Sequence, residues 1–120
     1  MTLMSELIID PVAFNEAKAM MQHKFEKVLG YFFEDTQSYI DTIQKGIEQQ
    51  DASLIAPAAH TIKSSSRQLG AIRLSEVSAL LEQKAKDYIR EPFDFSGIRI
   101  LSDEIKELFQ STKTQMEKQQ

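Results

Sequence analysis

The chain has 120 residues, 42% of them hydrophobic, and a net charge of −4 from 14 basic and 18 acidic side chains, which fits one globular domain around a single modest core. No cysteine is present, so disulfide frameworks, thiolate metal clusters and cysteine nucleophiles are excluded, and His23 and His60 cannot build a multi-histidine metal site by themselves. The acidic balance argues against binding nucleic acid. No run approaches the roughly 20 apolar residues of a membrane span. Residues 1–10 lack the basic and long apolar regions of a signal peptide, so a cytoplasmic protein is expected.

Apolar residues recur at three- and four-residue spacing between breaks at Asp10-Pro11, Gln50-Asp51, Gly70 and Pro92 to Gly97, which is the helical signature. A first helix starts at the cap Asp10, with Pro11 in its first turn and Val12, Phe14, Ala17 and Met20 or Met21 along one side. Met4, Met20 and Met21 read as core filling more readily than as a partner surface. The second helix, approximately 22–49, carries Phe25, Val28, Leu29, Phe32, Ile40, Ile43 and Ile47. Gly30 and Gly46 weaken it by up to about 1 kcal/mol each relative to Ala, so packing must hold it. Phe25, Phe32, Phe33 and Phe109 belong to the core, with Phe33 or Tyr31 set against the first helix.

Asp51 caps a third helix over 51–69, and Gly70 fits the left-handed position past its end. Pro57 should bend the early turns unless the regular helix begins there. A fourth helix covers 72–90, with Leu74, Val77, Leu81, Ala85 and Tyr88 on one face, and Pro92 stops it. Asp94 or Ser96 caps a fifth helix over 96–118, whose stripe is Ile98, Leu101, Ile105, Leu108, Phe109, Thr112 and Met116. Four long amphipathic helices with short connections make an all-α, antiparallel four-helix bundle, and the short N-terminal helix covers one end.

Within the third helix, Leu54, Ile55, Ala58, Ala59, Ile62, Ser66 and Leu69 share one broad face at about 100° per residue. His60 lies opposite it, in solvent, one turn from Ala56, Lys63 and Ser64 and two from Arg67. A neutral imidazole on a rigid helix is a nucleophile able to attack phosphorus. Phosphoryl transfer then asks for positioning and charge stabilisation, which Lys63 can supply as a point charge while small side chains leave room for another protein. The plain alternative is a surface histidine beside a polar run.

The segment His60-Thr61-Ile62-Lys63-Ser64-Ser65-Ser66, followed by Leu69-Gly70-Ala71, resembles the signature of histidine-containing phosphotransfer (HPt) domains. Arg73-Leu74 and Leu80-Leu81-Glu82 fall where that family has its next amphipathic helix. The sharp motif spans about fourteen residues, while helix order and lengths fit the family across nearly the whole chain. The resemblance implies a single stand-alone domain over 1–120 in a multistep phosphorelay. His60 would accept the phosphoryl group on Nε2, from an aspartyl phosphate on the receiver domain of a hybrid sensor kinase. It would then pass the group to a response-regulator receiver, without its own ATP-dependent kinase activity. Lys63 and Ser64 would steady the phosphoryl group, Ser64 standing where many members have Gly. Glu82, or less well aimed Gln83, would orient the imidazole; Ala56, Arg67 and Lys86 would lie on the docking face. No cofactor or metal is expected on the chain itself, Mg²⁺ being supplied by the receiver, and a monomer is the expected state. The alternative is a helical adaptor or dimerisation module. A metal-binding bundle enzyme is disfavoured, since neither Met20 nor Pro57 supplies the carboxylate of a Glu-x-x-His pair.

Overall fold

The computed structural model describes residues 7–119, so Met4 lies outside the described residues. It contains α1 (Pro11–Met21), a single 3-10 turn (Gln22–Lys24), α2 (Phe25–Gln49), α3 (Ala52–Gln68), α4 (Ile72–Arg90) and α5 (Ser96–Lys118). Helix α3 packs against both α2 and α4, while α5 closes the bundle against α4 and α2. The connections are too short for anything but antiparallel neighbours.

The helix starts follow from side-chain acceptors. Asp10 Oδ1 takes the Val12 N–H at 3.0 Å, and Asp51 Oδ1 takes that of Ser53 at 3.0 Å. Of the two residues considered for α5, Asp94 does the capping, accepting from Ser96 N at 3.0 Å and from Ser96 Oγ at 2.8 Å. Those bonds hold the Asp94 carboxyl below its ordinary value. Pro57 does not delay the start of α3, which runs unbroken from Ala52. Burial of Ala52, Ile55 and Ala56 along these turns offsets the one ladder bond that proline removes.

Side chains of Leu29, Ile43, Ile62, Leu81, Ile105 and Met116 lie at the centre of the core. Helix α1 buries a narrower stripe than its spacing suggests: Phe14 and Ala17 are buried, whereas Val12 and Met20 face solvent and Met21 is half-buried. Phe14 meets Phe25 edge-on at 5.3 Å, and this pair carries the contact between α1 and α2. Phe33 packs against Phe109 of α5 at 6.5 Å, and Tyr31 is exposed. Periodicity gives no sign of buried polar side chains such as Thr36 and Ser78.

The turn between α3 and α4 sets the geometry of the site. Ala71 N donates to Ser66 O at 2.8 Å and Gly70 N to Arg67 O at 3.2 Å, with Gly70 at φ +79°. This paired arrangement ends the helix on a left-handed residue, which glycine adopts without steric cost. Gly70 also receives the N-terminal segment: its carbonyl accepts from Asp10 N at 2.8 Å. A Cβ there would stand 2.8 Å from Phe14 N and 2.9 Å from Asp10 O. Gly70→Ala therefore meets both backbone strain and two rigid backbone atoms. It should destabilise the fold by on the order of 2 kcal/mol. Thermal unfolding should show the loss, with hydrogen exchange fastest in α1; an unchanged melting temperature would contradict this account of the turn.

Candidate functional site

The tight turn at Gly70 lays α4 antiparallel to α3 and brings together residues 19 to 22 positions apart. Ser75 Oγ donates to the Lys63 carbonyl at 2.9 Å, tying the helices one step from the site. His60 stands on the outer side of α3 with its side chain 57% exposed, and its Nδ1 lies 2.7 Å from Glu82 Oε2. Glu82 itself is only 7% exposed. Its Oε1 accepts from Lys63 Nζ at 2.5 Å, and its Oε2 also pairs with Lys86 Nζ at 3.1 Å, one turn along α4.

One carboxylate thus gathers three donors. Burial alone would push its pKa up. Hydrogen bonds from Lys63, Lys86 and His60, with the Lys63 charge behind them, outweigh that and lower it from 4.5 to about 2. At neutral pH Glu82 is therefore ionised and can only accept. Its contact with His60 then places the ring proton on Nδ1, and in the neutral imidazole the lone pair belongs to Nε2. The arrangement offers a nucleophilic nitrogen on an exposed ring, fixed in tautomer and orientation, beside an ammonium group.

The other expected site residues divide. Ser64, Arg67 and Lys86 are exposed around His60. Gln83 is exposed too, and its Nε2 donates to Asp87 Oδ1 at 2.9 Å, so Glu82 is the residue at the imidazole. Ala56, expected on the open docking face, is instead 7% exposed. Because α3 is enclosed by α2 on one side and α4 on the other, its buried arc is wider than the stripe of large apolar residues indicates. Lys63 is half-buried, its ammonium turned onto Glu82 instead of standing free in solvent. His23 is exposed on the 3-10 turn. Among the described residues, no group of three or more His, Cys, Asp or Glu is placed to hold a metal ion, and no helix is long and apolar enough to cross a membrane.

Two clefts flank α3. One of about 480 Å³ lies between α3, α4 and the start of α1, and its lining includes Lys63, Arg67, Ser75 and Glu76. The other, about 210 Å³, runs between α2 and α3 past Tyr31, Asp35, Thr61, Ser65 and Gln68. Tyr31, which the spacing sets against the first helix, lines this second cleft together with Met21 at the end of α1. The grip of Lys86 on Glu82 had a signal, since a Glu–Lys pair four residues apart shares a helix face.

The depressed pKa of Glu82 makes stability depend on pH. Between about pH 2 and 4.5 the unfolded chain binds this proton and the folded chain does not, so stability falls as pH drops through that window and is fully present above it. A shift of this size corresponds to about 3 kcal/mol. Glu82→Gln, which resembles the protonated form, should be less stable than the unsubstituted chain at pH 7 by up to that amount, and the two should converge near pH 2. Denaturant titrations across pH 2–7 check this; parallel curves would remove the assignment.

The model of the Hpt domain family matches residues 27–114. No curated protein matches the chain in sequence. The fold is similar to the crystal structure of histidine-containing phosphotransfer protein B (HptB) from Pseudomonas aeruginosa PAO1, with a TM-score of 0.86 and 17% identity over 96% of each chain. The matched segment includes α3, α4 and the His60 site with them, and almost all of α2 and α5. The chain belongs to the Hpt domain family, the histidine phosphotransfer domains of phosphorelays, which interact with receiver domains.

Proposed function

We propose that His60 is the phosphoacceptor of this domain, and the observation that carries the reading is the Nδ1 to Glu82 contact of 2.7 Å on an otherwise exposed ring. It leaves Nε2 as the nucleophile facing an incoming protein. The donor is an aspartyl phosphate on the receiver of a hybrid sensor kinase. Nε2 attacks phosphorus in line, the N–P bond forms, the P–O bond to the aspartyl group breaks, and the carboxylate leaves. Nδ1 keeps its proton throughout, and the positive charge that develops on the ring is balanced by Glu82. The return step to a response-regulator receiver runs through the same geometry in reverse.

In this reading Lys63 turns from Glu82 to the phosphoryl oxygens, and the small side chain of Ser64 leaves room above them and adds a hydroxyl. Glu82 orients the imidazole. Arg67 meets the acidic rim of a receiver site, with the exposed stem of Lys86 beside it, and the groove between α2 and α3, with Tyr31 and Gln68, seats an apolar element next to them. Mg²⁺ comes with the receiver. A cytoplasmic monomer is the simplest form for a carrier that must meet two partners in turn.

Incubation with a phosphorylated receiver tests the reading. The chain should acquire an acid-labile, alkali-stable label that is absent in His60→Ala; label kept in that variant would refute His60 as acceptor. Lys63→Ala should fold and slow transfer by roughly 10- to 100-fold, the scale of losing one positioned charge at a developing anion. Unchanged transfer kinetics would take away its part.

A further inference from the structure

Glu82 presents its two oxygens unequally. Oε1 receives Lys63 from α3, whereas Oε2 receives both His60 Nδ1 and Lys86, the latter from Glu82's own helix four residues on. The carboxylate is 7% exposed while the Lys86 side chain is 58% exposed. If Lys63 serves the phosphoryl group, as the acceptor reading above requires and on which this inference rests, it must leave Oε1. The buried carboxylate would then face a phosphoryl dianion with the imidazole N–H as its remaining partner from α3. A buried charge stripped of its counter-charge is strongly destabilising.

We propose that Lys86 is the standing counter-ion of Glu82: it keeps the buried carboxylate compensated while Lys63 moves to the phosphoryl group on His60. The placement suits that task. Lys86 shares a helix with Glu82, so their pairing does not depend on how α3 responds to the modification or to a docked partner. It binds the oxygen that Lys63 does not use, so Lys63 can depart without disturbing it. With one carboxylate and two ammonium groups the resting cluster carries a surplus positive charge, which a neutral acceptor at position 82 would achieve with Lys63 alone. Lys86 is thus a positioning residue, and its value to phosphotransfer exists because residue 82 is an acid.

That dependence can be measured with phosphoramidate, a small donor that needs no receiver: its P–N bond breaks, ammonia leaves, and the phosphoryl group joins Nε2. Phosphorylation of His60 is followed by ³¹P NMR in the full chain, in Lys86→Gln, in Glu82→Gln and in the double variant. Lys86→Gln should slow phosphorylation about five- to tenfold in the presence of Glu82 and less than about twofold in the Glu82→Gln background, the non-additivity expected of directly interacting charges. Lys86→Arg should restore the rate, and the deficit of Lys86→Gln should shrink at high salt because the site is partly exposed. Equal slowing by Lys86→Gln in both backgrounds, or none in either, would overturn the proposal while leaving His60 as the acceptor. Failure of the unsubstituted chain to take label on His60 would overturn the acceptor reading, and this inference with it.

Discussion

A carboxylate removed from water and surrounded by donors is the constraint on which the His60 site depends. Glu82 accepts from an imidazole and two ammonium groups that come from two different helices. Burial by itself would drive such a group to pick up a proton; the three donors reverse that and keep it charged to about pH 2. Ionisation then dictates the rest. A carboxylate cannot donate, so the ring proton must sit on Nδ1 and the lone pair on Nε2. One electrostatic balance inside the bundle decides which nitrogen of an exposed ring is the nucleophile.

This balance holds only if α3 and α4 meet in a single register. His60 and Glu82 are 22 residues apart, and a displacement of one helical turn, about 5.4 Å, would separate them beyond hydrogen-bond reach. The register originates at the turn, where Gly70 ends α3 in a left-handed conformation and at the same time admits the backbone of residues 10 and 14. The Ser75 hydroxyl on the Lys63 carbonyl repeats the constraint closer to the site. Helix α1 is remote from His60 in sequence, yet it packs on the same glycine and so braces the turn that aligns the site.

Features set by local chemistry were legible in the sequence. The caps Asp10 and Asp51 and the terminator Gly70 each act on backbone within a few residues, and they lie where their side chains, or the lack of one, indicate. The exposure of His60 was readable for the same reason, since the large apolar residues of α3 define the opposite face. What failed depended on neighbours that periodicity does not describe. Val12 and Met20 have apolar side chains but no helix above them, and Ala56 is buried because α3 is enclosed on two sides. The periodicity of α3 likewise says nothing of the partner of Lys63, which comes from another helix, 19 residues away. The resemblance points to Glu82 as the residue that orients the imidazole; that it is buried, and therefore able to hold three donors at once, follows from the packing of α4 on α3.

With His60 as the proposed acceptor, the cluster also accounts for a carrier that is both rigid and reversible. A histidine held by a neutral acceptor would be oriented but would receive little help with the positive charge that the ring gains on phosphorylation. A carboxylate supplies that help, and brings with it a negative charge near the incoming phosphoryl group, which opposes the same step. Two lysines sit on separate oxygens, and in the role proposed for them one ammonium is lent to the phosphoryl group while the other stays with the acid. Because neither ammonium has to gain or lose a proton during transfer, the surroundings of the ring in the resting and phosphorylated forms would differ mainly in where one flexible ammonium points. Small rearrangement means little reorganisation energy in either direction, which is what a protein that receives a group from one partner and gives it to the next requires.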